Sequence, residues 1–136
     1  MTSNVAARDN YLTLALLSRR IIEALKDLVV KNERQRLNSA LPAAIQSLQA
    51  ATNSRHLSGY GLRVARSYDQ VRTINELFTK DHRIEMIAAL QSLLDDTSPN
   101  TNDEAIKAIE FFRTLENRAL HNYRHPAPRA RLQATS

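Results

Sequence analysis

The sequence predicts an all-α protein, an antiparallel bundle of four to five helices, and three observations carry that prediction. Helix formers dominate a chain that has only two glycines and four prolines, and such residues lose little on entering a helix. Apolar residues recur at the 3.6-residue period in five segments, with no strand-like alternation. Most of the connectors are short, which makes successive helices antiparallel neighbours. With 136 residues, one core suffices. The predicted organisation is a single helical domain over residues 1–123 and a basic, disordered tail over residues 124–136.

The first predicted helix runs from Val5 to Arg36. Leu14, Leu17, Ile21, Leu25, Leu28 and Val29 form one apolar side, and Arg19, Arg20, Glu23, Lys26 and Asp27 form the polar one. The second starts at Asn38–Ser39, a good N-cap pair, with Pro42 in a first turn that does not need its missing N–H, and turns Leu41, Ala44, Ile45, Leu48 and Ala51 inward. The polar run TNSRHLSGYG holds both glycines and reads as a long loop. A third helix over residues 62–79 buries Val64, Tyr68, Val71, Ile74 and Phe78 and places Arg63, Arg66 and Gln70 on an outward face. Asp81 is the predicted cap of a fourth helix with Ile84, Ile87, Leu90 and Leu94 inward. After the connector DDTSPNTND, Thr101 and Glu104 have capping-box spacing and open a fifth helix. It runs to Tyr123 and is stopped by Pro126 and Pro128.

Charge is unevenly placed within a net +5: residues 19–36 carry +3, residues 55–72 carry +3 and residues 113–131 carry +4, against −4 over residues 80–104. Such a field speeds encounter with polyanions, and it serves equally for docking to an acidic protein. There is no cysteine, which excludes a disulfide framework and a thiolate zinc site. No apolar run approaches membrane-spanning length and no leader pattern stands at the start, so the expectation is a soluble, cytoplasmic protein without membrane contact.

The motif search removes several chemistries. Two glycines can build neither a G-x-G-x-x-G turn nor a phosphate loop. H-E-x-x-H, Glu-x-x-His pairs for a diiron site and a nucleophile elbow are all missing, and the histidines stand at 56, 82, 121 and 125. Neither metal nor cofactor is expected. A helix-turn-helix reader is disfavoured because the break after the second helix is about ten residues where that motif needs a tight turn.

On the fifth helix Ala105, Ile109, Phe112, Ala119 and Tyr123 share a face, and Glu116 falls in its middle. A carboxylate there must be paired or reach water. Arg113 is the local candidate partner, and an arginine from another helix or subunit is the other. His121 lies off that face beside Arg118, where it can share a patch with Arg124 or His125. Such a patch suits phosphate or proton transfer, or it only complements the helix dipole.

The stretch ENRALHNYRHP resembles the motif of HEPN-domain proteins, small all-helical nucleotide-binding and ribonuclease domains. Asn117 matches the motif's polar position, His121 its histidine and Tyr123 its tyrosine, whereas Glu116 stands where the motif has arginine. Arg118 and His125 meet a looser form. The resemblance implies a helical fold, a dimer and, through His121 as catalytic candidate, RNA cleavage; Glu116 speaks against the last.

The leading functional expectation is a non-enzymatic helical module that binds nucleic acid or a ribonucleoprotein partner. The residues chosen for it are Arg55, Arg63 and Arg66, Arg118, Arg124, Arg129 and Arg131, with Tyr60 available to stack on a base. A HEPN-like ribonuclease or inactive relative is the alternative. Another is a protein adaptor or assembly subunit whose acidic and basic zones pair between copies, giving a homo-oligomer.

Overall fold

A computed structural model describes the backbone of residues 2–53 and 62–125 and the side chains of residues 8–53 and 69–125. Its helices are α1 (Thr2–Lys26), α2 (Gln35–Thr52), α3 (Leu62–Leu77), α4 (Lys80–Leu94) and α5 (Thr101–Arg124). No strand occurs among the described residues, so the fold is the all-α bundle that composition and periodicity predict. None of these helices is long and apolar enough to cross a membrane.

The most extensive helix interface is between α1 and α5. They are antiparallel: Arg19 of α1 bonds Glu116, and Arg8, nearer the start of α1, lies over Tyr123, nearer the end of α5. Asn10 donates to Asp69, midway along α3, which then runs away from this end, here called the upper end. Phe78, just past α3, stacks on Phe111 halfway along α5. From there α4 runs to the lower end, where Arg34 donates to the Leu93 carbonyl and to Asp96. Thus α3 and α4 follow one another in one direction as a broken third arm. With α1, α2 and α5 they complete a four-armed bundle of alternating direction.

The core is one cluster drawn from every helix. Leu14, Ile21 and Leu25, Leu37, Leu41 and Leu48, Ile74, Leu90 and Leu93, and Leu115 are each at most 1% exposed. Each such side chain gains about 1.5–3 kcal/mol over its exposed state. The inward sets predicted for the first, second and fifth helices lie in or against this core, apart from Tyr123, which is half-buried at the upper end. Val71, Ile74 and Phe78 of the third set are buried; the side chains of Val64 and Tyr68 lie outside the described residues.

Boundaries and caps differ from expectation at several points. The first helix ends in a π-helical turn, Asp27–Lys31, and not at Arg36. Asn32 terminates it in the left-handed region (φ 56°), which asparagine tolerates, and its N–H bonds the carbonyls of Asp27 and Leu28. The second helix begins at Gln35, ahead of Asn38 and Ser39, because Leu37 is already buried. Pro42 therefore stands inside α2; Pro42 and Asn38 are both exposed, so water can serve the Asn38 carbonyl that loses its donor.

Thr79, not Asp81, caps α4: it is extended (φ −67°, ψ 162°) and its hydroxyl accepts from the His82 N–H at 3.1 Å. Asp81 adds charge to the first turn. The buried face of α4 is Arg83, Met86, Leu90 and Leu93; Ile84 is 46% exposed, and Ile87 and Leu94 are half-buried. Arg83 turns inward because the Phe78 carbonyl ending α3 needs a donor, which Arg83 Nη1 supplies at 2.6 Å. The Thr101–Glu104 capping box does not form. Asn100 holds the N-cap position, one residue earlier, and its carbonyl receives the Glu104 N–H.

Candidate nucleic-acid interface

The upper end gathers the first turns of α1, the middle of α3 and the last turns of α5. Three contacts fix this arrangement. Asn10 Nδ2 donates to Asp69 Oδ2 at 3.3 Å, and Gln70 Nε2 returns to the Asn10 carbonyl at 3.3 Å. The Arg8 guanidinium lies 5.1 Å from the centroid of the Tyr123 ring, a cation–π contact that pins the end of α5 to α1.

Arg118, His121 and Arg124 of α5 and His125, its C-cap, are all exposed. Arg118, His121 and His125 follow one another at i, i+3 and i+7 and share one ridge. The rings of His121 and His125 are 4.9 Å apart, and the His125 N–H donates to the His121 carbonyl at 2.8 Å, closing the last turn. Arg124 is the final residue of α5, so it belongs to the helix and not to the tail.

The predicted residues divide accordingly. Arg118 and Arg124 stand exposed on one helix end. Arg63 and Arg66 lie on the first turns of α3, but their side chains lie outside the described residues. Arg55, Tyr60, Arg129 and Arg131 also lie outside them. Arg8 was not among the predicted residues: its place beside Tyr123 is a tertiary fact, without a local signal in its own stretch of sequence.

Three of the six cations in the basic zone at residues 19–36 are engaged elsewhere. Arg19 holds Glu116 through two bonds of 2.8 Å, Arg34 pairs with Asp96 at 3.5 Å, and Arg36 lies 3.7 Å from Glu23 and 3.4 Å from Asp27. Glu116 is 6% exposed, so the carboxylate at the centre of the apolar face is indeed buried, and its partner is an arginine from another helix and not the exposed Arg113. No carboxylate among the described residues forms an ion pair with Arg8, Arg118 or Arg124.

A groove of about 460 Å³ lies apart from this end, between α4 and α5. Phe78, Phe111 and Met86 line it, with His82 edge-on to both phenylalanines and Glu85 and Glu110 at its sides. Glu85, Glu104 and Glu110 against Lys107 make it acidic, which does not suit phosphate. No group of three or more metal-ligating side chains occurs among the described residues. Comparison with protein-family models, with curated proteins and with solved structures yields no match.

Proposed function

We propose that the protein is a non-enzymatic module that binds nucleic acid, or a ribonucleoprotein partner, through the upper end of its bundle. One observation carries this reading: exposed cations of α1 and α5 stand at one end of the bundle without ion pairs among the described residues, while Arg19, Arg34 and Arg36 of the 19–36 zone are engaged in intramolecular ion pairs. Guanidinium groups without a carboxylate can take phosphate oxygens in two-pronged contacts. Titration of single-stranded RNA and duplex DNA at two salt concentrations tests it. About four phosphate contacts predict a fall in affinity of roughly fifty- to 150-fold over a fourfold rise in salt. Affinity indifferent to salt, or no binding to either polymer, refutes the reading.

A HEPN-like ribonuclease is the second reading, and the exposure of His121 on the ridge with Arg118 favours it. Against it stands Glu116, whose charge is committed to Arg19. If that reading holds, His121→Ala abolishes RNA cleavage and leaves the helical circular dichroism unchanged; wild-type protein that leaves varied RNAs intact rules it out.

A further inference from the structure

We propose that His121 and His125 form a two-imidazole site for a divalent transition-metal ion, with copper, nickel and zinc as the ions their chemistry suits. The two histidines are four residues apart, His121 on the last turn of α5 and His125 at its C-cap, both exposed, with ring centroids 4.9 Å apart and planes tilted by 39°. That separation fits a shared ion. A metal about 2.1 Å from one nitrogen of each ring, with the angle at the metal between about 90° and 109°, places the two centroids about 4.6–5.3 Å apart. The i, i+4 spacing on one helix face is also the one by which helical histidine pairs hold zinc.

The backbone supports the arrangement. The bond from the His125 N–H to the His121 carbonyl sets both residues on one face, and the Arg8–Tyr123 contact anchors the same turn to α1. Burial is absent, so neither ring pays desolvation to meet the ion. No third ligand belongs to the site among the described residues, so the remaining coordination positions are open to water or to an anion drawn by Arg118 and Arg124. Those guanidinium groups also repel a cation, which favours the ions with the strongest nitrogen affinity: copper above nickel and zinc. The sequence signal is HNYRH, whose spacing is visible once residues 121–124 are known to be helical and His125 to close the last turn.

The inference is independent of the nucleic-acid reading and is tested without nucleic acid. Untagged full-length chain is titrated with nickel and then copper chloride by calorimetry, in a buffer that does not chelate. The expected result is one ion per chain. His121→Ala and His125→Ala should each bind at least about tenfold more weakly, as loss of one of two chelating ligands requires, and His82→Ala should bind as wild type. In parallel, paramagnetic nickel should broaden the ring resonances of His121 and His125 before that of His82. Circular dichroism establishes that each variant is folded. The proposal is overturned if the His121→Ala/His125→Ala double variant keeps wild-type affinity, if the saturated stoichiometry is one ion per two chains, or if millimolar metal gives no binding.

Discussion

Glu116 and Arg83 are both charged and both buried, and they are accommodated in opposite ways. Glu116 receives two hydrogen bonds from Arg19, whose side chain stays 46% exposed, so the buried carboxylate is paired with a cation that remains in contact with solvent. Arg83 forms no ion pair with a carboxylate among the described residues: its Nη1 serves the Phe78 carbonyl, its Nε is buried without a partner, and desolvation lowers its pKa. Removing Arg19 should therefore hurt through what it leaves behind. Arg19→Ala is expected to cost about 2 kcal/mol in urea unfolding, because Glu116 stays buried without its donors. Arg19→Met combined with Glu116→Leu should recover most of that loss, since apolar replacement of a buried pair is often neutral. If the double variant is as unstable as the sum of its singles, the pair's loss is not what destabilises. Arg83→Ala should cost about 2 kcal/mol or more at an unchanged denaturant slope, from the Phe78 carbonyl and the lost packing of the stem. Periodicity could flag Glu116 as a misfit, but Arg19 is 97 positions away and only the fold brings them together.

At the scale of elements, the sequence places the break between α3 and α4 to within two residues but not what holds it. Neither glycine nor proline stands near it, and it depends on Thr79 in an extended conformation and on Arg83 reaching back. A capping threonine and a carboxylate two residues on look alike to a rule that seeks a polar cap, which is why Asp81 seemed the better choice. The shift of α4's buried face has the same origin. A rule that excludes arginine from the core selects Ile84, whereas a carbonyl at the end of α3 needs the donor at position 83. Thr79→Ala should lower stability by about 1 kcal/mol and Thr79→Ser should restore most of it, read as the shift of the thermal midpoint. Equal stability of the alanine variant would mean that Arg83 alone holds the break. By contrast α1, α2 and α5 were legible because their apolar stripes are long, and the ends of those stripes were not, because caps depend on one or two side chains.

For the whole molecule, the useful distinction is between basic residues that the fold engages and those it leaves outward. Composition treats the three basic zones alike; the bundle does not. Arg19, Arg34 and Arg36 are held in ion pairs toward the middle and lower end, while Arg8, Arg118 and Arg124 form none among the described residues and stand exposed at the upper end. The candidate site was thus half legible: α5's contribution follows from local spacing, but the joining of α1 to it requires the antiparallel packing of two helices from opposite ends of the chain. This makes a prediction that net charge alone does not. Arg118→Ala with Arg124→Ala removes two charges from the proposed surface, and should weaken nucleic-acid binding and reduce the salt slope by about 1.4–1.8, the amount expected for two lost phosphate contacts. Removing two charges at the lower end, Arg34→Ala with Arg36→Ala, changes net charge equally but should leave that slope within about half a unit of wild type and lower stability instead. Binding measured across a salt series, with unfolding followed in the same buffers, separates the two outcomes. Equal changes in slope for both pairs would show that the protein attracts polyanions through overall charge, without a surface at the upper end.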